Sequence, residues 1–342
     1  MLVFNQSQHD AVIRSREAFN TRQSAIAAAA GFAANSAGDD LTGNAAQIPL
    51  DAWRRIDSDG AAIQRDELVV FNRLAAANQT PVSMGDLVSY FPKISDSGEV
   101  NVSMDGRRKG NGDQAIIKFE GTPIPIFDSQ ATFGWRQMEV IRKGGPGGID
   151  IVAETVANDQ RKVAEKLEDM ALNGLPSIVM GGATIYGLRT FPQRNTNTHG
   201  LDLNAATGAQ WLAAVKDLVN KLIADNAYGK VSIFLNYSDW VYIDSTDYAA
   251  AYPKTILQRL MELKQVAEFI PAARVPASEL IGIANLGGRQ WGKILNGMPL
   301  TTRPKVRQNP EDEYVLGVMA SAAPQFKSDY NGNSSIAHLT KA

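Results

Sequence analysis

The sequence predicts an α+β protein in which strands and helices occupy separate stretches around one small α/β region. Three observations carry that expectation. Residues 81–143 read as alternating strands, Ile149 to Gly174 place apolar side chains at helical spacing, and apolar strands alternate with helices between Trp211 and Ala284. The 342 residues also exceed the ~250–300 at which one hydrophobic core stops growing, so two lobes with extended appendages are expected.

Composition narrows the function classes. Hydrophobic residues make up 44% of the chain and charged residues 20%, which excludes wholesale disorder. A formal net charge of −2 supplies no broad positive field, so any contact with nucleic acid should be weak and independent of base sequence. The absence of cysteine removes disulfides, thiolate metal sites, iron–sulfur centres and cysteine nucleophiles. His9, Asp10, Arg14, Arg16 and Glu17 interrupt the region where a secretory signal would be apolar, and no run approaches the ~20 apolar residues of a membrane helix. No membrane partner is expected.

Gln6 to Phe32 are Ala-rich and free of proline, which predicts a helix, followed by a polar loop over 33–47. A turn at Asp57-Ser-Asp-Gly60 leads into a second helix over Ala61 to Ala77. Glu99 to Ser103 and Ala115 to Phe119 are predicted as the strands of a long hairpin, whose polar tip carries Arg107, Arg108 and Lys109. A two-stranded arm is marginal alone in water, so a neighbouring subunit should support it. Gly144 to Gly148 break the chain before the longest helix, Ile149 to Gly174, and Gly174 stands where a left-handed cap belongs. Trp211 to Ile223 form an amphipathic helix, Val231 to Leu235 a buried strand, Lys254 to Gln265 a further helix, and Leu280 to Ala284 another strand. Beyond Pro299 the chain returns to strands, including Glu313 to Met319, and ends in a polar tail.

Gly287-Gly-Arg-Gln-Trp-Gly-Lys293 follows an apolar strand and fits Gly-x-x-x-x-Gly-Lys, the pattern that cradles phosphates in a P-loop. Ile294 occupies the Ser/Thr position that would bind Mg²⁺, however, and Gly297 with Pro299 disfavours the helix that would face the phosphates. A structural loop is therefore favoured over a nucleotide-binding enzyme. Around Asp57 to Asp66, Arg55 takes the first ligand position of a calcium loop and Asp66 replaces its bidentate Glu, so a turn with a helix cap is expected. His9, His199 and His338 show no metal-ligand spacing and are expected at the surface. Glu154, Glu165, Glu168 and Asp169 are interleaved with Arg161, Lys162 and Lys166, the pattern of a solvated or interface helix face. Trp53, Trp135, Trp211, Trp240 and Trp291 are dispersed, as core anchors are. No catalytic, cofactor-binding or metal-binding residue is nominated.

Other segments carry a likeness: Pro123-Ile-Pro-Ile-Phe-Asp128 leading into Trp135-Arg136, Asp150 to Gly174 with Arg161, Glu168, Asp169 and Asn173-Gly174, and Ile185-Tyr-Gly-Leu188. With the order of arm, hairpin, spine helix, α/β domain and strand return, the chain from about Ile48 resembles the Hong-Kong-97-type capsid proteins of tailed bacteriophages and their encapsulin relatives. The resemblance implies an α+β capsid fold with an N-terminal arm over 1–80, an extended E-loop over 81–142, a P-domain spine over 143–184, an A-domain over 185–298, and P-domain strands with a tail over 299–342. It implies a non-enzymatic major capsid protein without cofactors, assembled in the host cytoplasm into the hexamers and pentamers of a virion shell. Its partners would be further copies, a portal, scaffolding or decoration proteins, and packaged double-stranded DNA. An encapsulin-type compartment is the second reading. Between copies, Arg107, Arg108 and Lys109 at the hairpin tip would face Glu311, Asp312 and Glu313, in the loop over which a neighbouring E-loop passes.

Overall fold

The computed structural model describes Asp10, residues 13–22, 64–98, 100, 102, 104–105, 114–143, 150–250 and 252–341. The chain divides into two units, Met1–Ala61 with Gly144–Ile149, and Ala62–Lys143 with Asp150–Ala342. In the first unit the described residues 13–22 form an exposed helix, α1, within the predicted Gln6 to Phe32. All other described elements belong to the second.

In chain order the second unit contains α2 (Val70–Ala77), β1 (Gln79–Pro81), β2 (Val88–Ile94), β3 (Ile117–Pro123), β4 (Ile126–Phe133), α3 (Trp135–Arg142) and α4 (Ile151–Asn173). Then follow β5 (Leu175–Met180), β6 (Ala183–Ile185), β7 (Asn195–Thr198), α5 (Gly208–Ala224), β8 (Val231–Leu235), α6 (Tyr237–Ser245), β9 (Asp247–Ala249), β10 (Tyr252–Thr255) and α7 (Ile256–Met261). The chain closes with β11 (Val266–Pro271), β12 (Leu280–Ala284), β13 (Gly292–Pro304), β14 (Tyr314–Phe326) and β15 (Ile336–Thr340).

Two cores result. In the first, α4 crosses a four-stranded sheet of order β1-β13-β14-β4 and buries Val163, Leu167, Met170 and Ala171 together with Val318, Ala320 and Ala322. The Asp150 carboxylate starts α4 by accepting the Val152 and Ala153 N–H groups, each at 3.0 Å. Gly174 ends it at φ +73°, and a Cβ there would meet the Ile185 carbonyl at 2.4 Å. The predicted glycine stop is in place, but with ψ −170° it is not in the left-handed helical conformation expected of it.

The second core is a five-stranded sheet of order β11-β8-β12-β15-β7. Every residue of β8 and β12 is buried, which is why both read as apolar runs, with Ser232 the one polar side chain among them. Trp211, Val215, Leu218 and Leu222 of α5 belong to this core. Gly282 lets α5 come close, since a Cβ at that position would lie 2.3 Å from Leu218 Cδ2. Capping boxes of Thr207 with Gln210 and Thr255 with Gln258 start α5 and α7.

Several expectations need correction. The second helix is only Val70–Ala77; residues 64–69 are not helical, because α2 is begun by a side chain from α4. The paired hairpin strands are Val88–Ile94 and Ile117–Pro123; of the expected strands, Val100, Val102, Ala115 and Ile116 are not in a strand, whereas 117–119 are. Pro92 sits inside β2, a residue that argues against a central strand but is tolerated where a strand has only one neighbour. The helix over Lys254 to Gln265 shrinks to Ile256–Met261, since Tyr252–Thr255 pairs with β9 and Thr255 caps the turn. The polar tail contains β15, which lies between β12 and β7 with Ile336, Ala337, His338 and Leu339 buried.

Candidate assembly surface

The β2–β3 hairpin has two unlike faces. Directly opposite residues share a face, so Tyr90, Pro92 and Ile94 lie with Gly121, Phe119 and Ile117, while Phe91 and Lys93 lie with Glu120 and Lys118. The second, mixed face turns inward: Phe91 is buried, Lys93 pairs with Glu120 and donates to Ser328 Oγ at 2.6 Å. The first face is apolar and open, with Tyr90 57%, Ile94 60%, Ile117 55% and Phe119 70% exposed. A strand pair in a free-standing protein normally shows the reverse arrangement, with its apolar face covered and its polar face open. The alternation was present in the sequence at Tyr90, Ile94, Ile117 and Phe119, but Pro92 and the distance between the strands obscured it.

The basic half of the expected contact, Arg107, Arg108 and Lys109, lies outside the described residues, as do Asp57-Ser-Asp-Gly60, Gly144 to Gly148, His9 and Trp53. The acidic half is in the loop between β13 and β14. Asp312 is occupied within that loop: its carboxylate accepts the Gln308 and Asn309 N–H groups at 2.9 and 2.7 Å. The Asn309 N–H first, with that of Gln308, holds this carboxyl below its usual pKa. Arg307 closes the loop by donating Nε–H to the Asp312 carbonyl and lies 3.7 Å from the Tyr314 ring centroid. Glu311 and Glu313 remain exposed, and their side chains make no ion pair or hydrogen bond among the described residues.

Glu168 is not on a solvated face. It is 1% exposed, and its carboxylate accepts the N–H groups of Val69, Val70 and Phe71 at 3.1, 2.8 and 2.7 Å, so α4 supplies the cap that α2 lacks in its own sequence. His338 is also buried, within β15. Arg194 Nε–H donates to its Nδ1 at 3.3 Å, which leaves Nε2–H to donate to Glu279 at 3.0 Å. Glu279 is held bidentately by Arg189 at 2.8 and 2.9 Å, and Arg189 reaches Asn173 at the end of α4 at 2.7 Å. This chain of contacts joins the two cores. His199 likewise is not free at the surface, its Nε2 lying 3.0 Å from the Ser278 carbonyl and its Nδ1 accepting from Leu201 N–H at 3.1 Å. Trp211 and Trp291 are fully buried anchors, whereas Trp135 is 39% exposed with Arg136 against its ring.

Gly287 to Trp291 form turns and bends that run directly into β13, whose first residues are Gly292 and Lys293. A strand therefore stands where a P-loop needs a helix N-terminus, and Trp291 is buried with its indole N–H on the Leu286 carbonyl at 2.6 Å. Among the described residues no group of His, Asp and Glu has a metal-holding arrangement, and no helix is long and apolar enough to cross a membrane.

No curated protein matches the sequence. Solved structures do match the fold. The capsid of the myovirus phage XM1 aligns with a TM-score of 0.68 at 11% identity, covering 86% of this chain and 98% of that one. A chain of Mycobacterium phage Ogopogo aligns at 0.58 and 11% identity over 88% and 99% of the two chains, and the capsid of an empty GTA particle at 0.51 and 14% over 83% and 100%. The fold is thus the Hong-Kong-97-type capsid fold that the order of elements resembles. A sequence profile described as a family of unknown function, DUF6260, matches residues 44–339, and the chain belongs to that family.

Proposed function

We propose that the protein is the major capsid protein of a tailed bacteriophage, a structural subunit that assembles with copies of itself into an icosahedral shell around double-stranded DNA. The observation that carries this reading is the open apolar face of the β2–β3 hairpin on a chain with a phage-capsid fold. Covering Tyr90, Ile94, Ile117 and Phe119 in a neighbour would contribute on the order of 1–2 kcal/mol per side chain, repeated at every copy of the contact. On this reading the hairpin is the E-loop, α4 with the β1-β13-β14-β4 sheet is the P-domain, and the β11-β8-β12-β15-β7 sheet with α5, α6 and α7 is the A-domain. Portal, scaffolding or decoration proteins are further partners, and the finished protein resides in the virion after assembly in the host cytoplasm. Arg107, Arg108 and Lys109 face Glu311 and Glu313 of an adjacent copy, with Asp312 shaping the loop that presents them.

Electron microscopy of the purified protein tests the proposal. Closed shells with five- and six-fold capsomers are expected. A monomer under every assembly condition, with the hairpin folded, would overturn it.

A further inference from the structure

The turn before β13, the start of β13 and the residue after β14 bring three cations together without an anion. Gly292 pairs with Phe326 and Lys293 with Gln325, and Lys327 N–H continues the ladder to the Trp291 carbonyl at 3.0 Å. Lys293 therefore stands one diagonal step from Lys327, a separation of about 7–8 Å between strand neighbours of this kind. Arg289 lies exposed on the turn before β13. The side chains of Arg289, Lys293 and Lys327 make no ion pair or hydrogen bond among the described residues. Nearby carboxylates are already engaged, Glu120 by Lys93 and Asp329 by the Asn333 N–H and side-chain amide. Lys93 and Lys327 each lie 5.8 Å from the centroid of the Phe91 ring, which fixes the floor of the cluster. Burial first, then the charges of Lys293 and Arg289, lower the pKa of Lys327. Like charges held this way are relieved by an anion from outside the chain.

We propose that Arg289, Lys293 and Lys327 bind the phosphodiester backbone of duplex nucleic acid, without reading its bases. The inference rests on the shell proposal and gives the packaged DNA a place of contact. Two features favour a polyphosphate over a neighbour's carboxylates. A duplex carries one charge per ~1.7 Å of axis and can satisfy three cations without a unique docking geometry, and its backbone suits an Arg fork with two Lys point charges. Gly287 leaves the approach open, with nothing within 4 Å of where a Cβ would stand.

The test measures binding of the full chain to a short duplex of mixed sequence by anisotropy across a salt series, beside shell formation by electron microscopy. The variant Arg289→Gln/Lys293→Gln/Lys327→Gln should lose at least tenfold in affinity near ~50 mM salt and lower the log–log salt slope by about 2–3, since each phosphate contact accounts for ~0.9. Its shells should form normally. Lys216→Gln, at an exposed cation of α5, should change little. If the triple variant does not fold, Arg289→Glu on the exposed turn carries the same test with a slope change of about 1. Unchanged affinity and slope in a variant that still forms shells would overturn the site and leave the shell reading standing. Unchanged affinity with lost shells would overturn it in favour of a carboxylate contact between copies. Lost affinity in a protein whose wild type forms no shells would support the site while removing the capsid reading.

Discussion

Glu168 shows how a charged residue on a long helix can serve the core. Three backbone N–H groups at the start of α2 have no side-chain cap of their own and converge on its carboxylate. Replacing Glu168 by Ala would strand these donors beside buried Val70, and a loss of about 2–4 kcal/mol is expected in a denaturant midpoint experiment. Glu168→Gln should recover part of it, since one acceptor oxygen remains. Glu279 offers a pH readout. Burial alone would raise its pKa, but His338 and Arg189 overcome that and leave it below the ordinary glutamate value. The fold thus favours the ionised form, so its contribution is complete above the ordinary glutamate pKa and is lost as the pH falls from there through the lower folded value. Glu279→Gln should therefore destabilise by about 2–3 kcal/mol at pH 7 and flatten the acid limb of the stability profile. A profile identical to wild type would show that the Arg189 pairing contributes nothing.

At the level of elements, the hairpin and α4 are stabilised in different ways. The spine helix has a carboxylate cap, a glycine stop and an apolar stripe over a sheet, so it forms within one chain; Asp150→Ala should cost it about 1 kcal/mol. The hairpin hides its mixed face and leaves its apolar face open, which is consistent with completion by a second chain. Ile117→Asp with Phe119→Asp should leave the monomer's melting temperature nearly unchanged, because both side chains are already exposed, and should abolish shells. Normal shells from that variant would remove the hairpin from the contact. For the tip, reversing the charges of Arg107, Arg108 and Lys109 should lower shell yield at low salt, and reversing Glu311 and Glu313 in the same chain should restore part of it. No recovery would separate the two clusters. Asp312 is left intact because its reversal would open the loop.

At the level of the molecule, the chain crosses between the cores more than once, leaving the first after β14 to place β15 inside the second sheet. A chain ending after Tyr330 would lack a strand flanked on both sides, exposing Ile281, Ile283 and the edge of β7. Such a truncation should give insoluble protein, read by sedimentation of the lysate, whereas a dispensable tail would leave it soluble.

The α4 helix, β8 and β12 were legible because each is decided locally: apolar spacing, a glycine stop, and a run of residues that can only be buried. The capsid fold was legible from the order of such elements. Their completion was not. The start of α2 depends on Glu168 from 98 residues away, an acceptor that no local pattern announces. Strand β15 reads as polar because Ser334 and Ser335 precede it and His338 belongs to it; the Ser334 N–H is met by Asp225, and His338 by Glu279 and Arg194, all from elsewhere in the chain. Sequence alone determined which segments could be helix or strand, since that is set by propensity and periodicity between near neighbours. The tertiary structure decided which polar groups are satisfied and which apolar face stays open, because both depend on partners brought together only by folding.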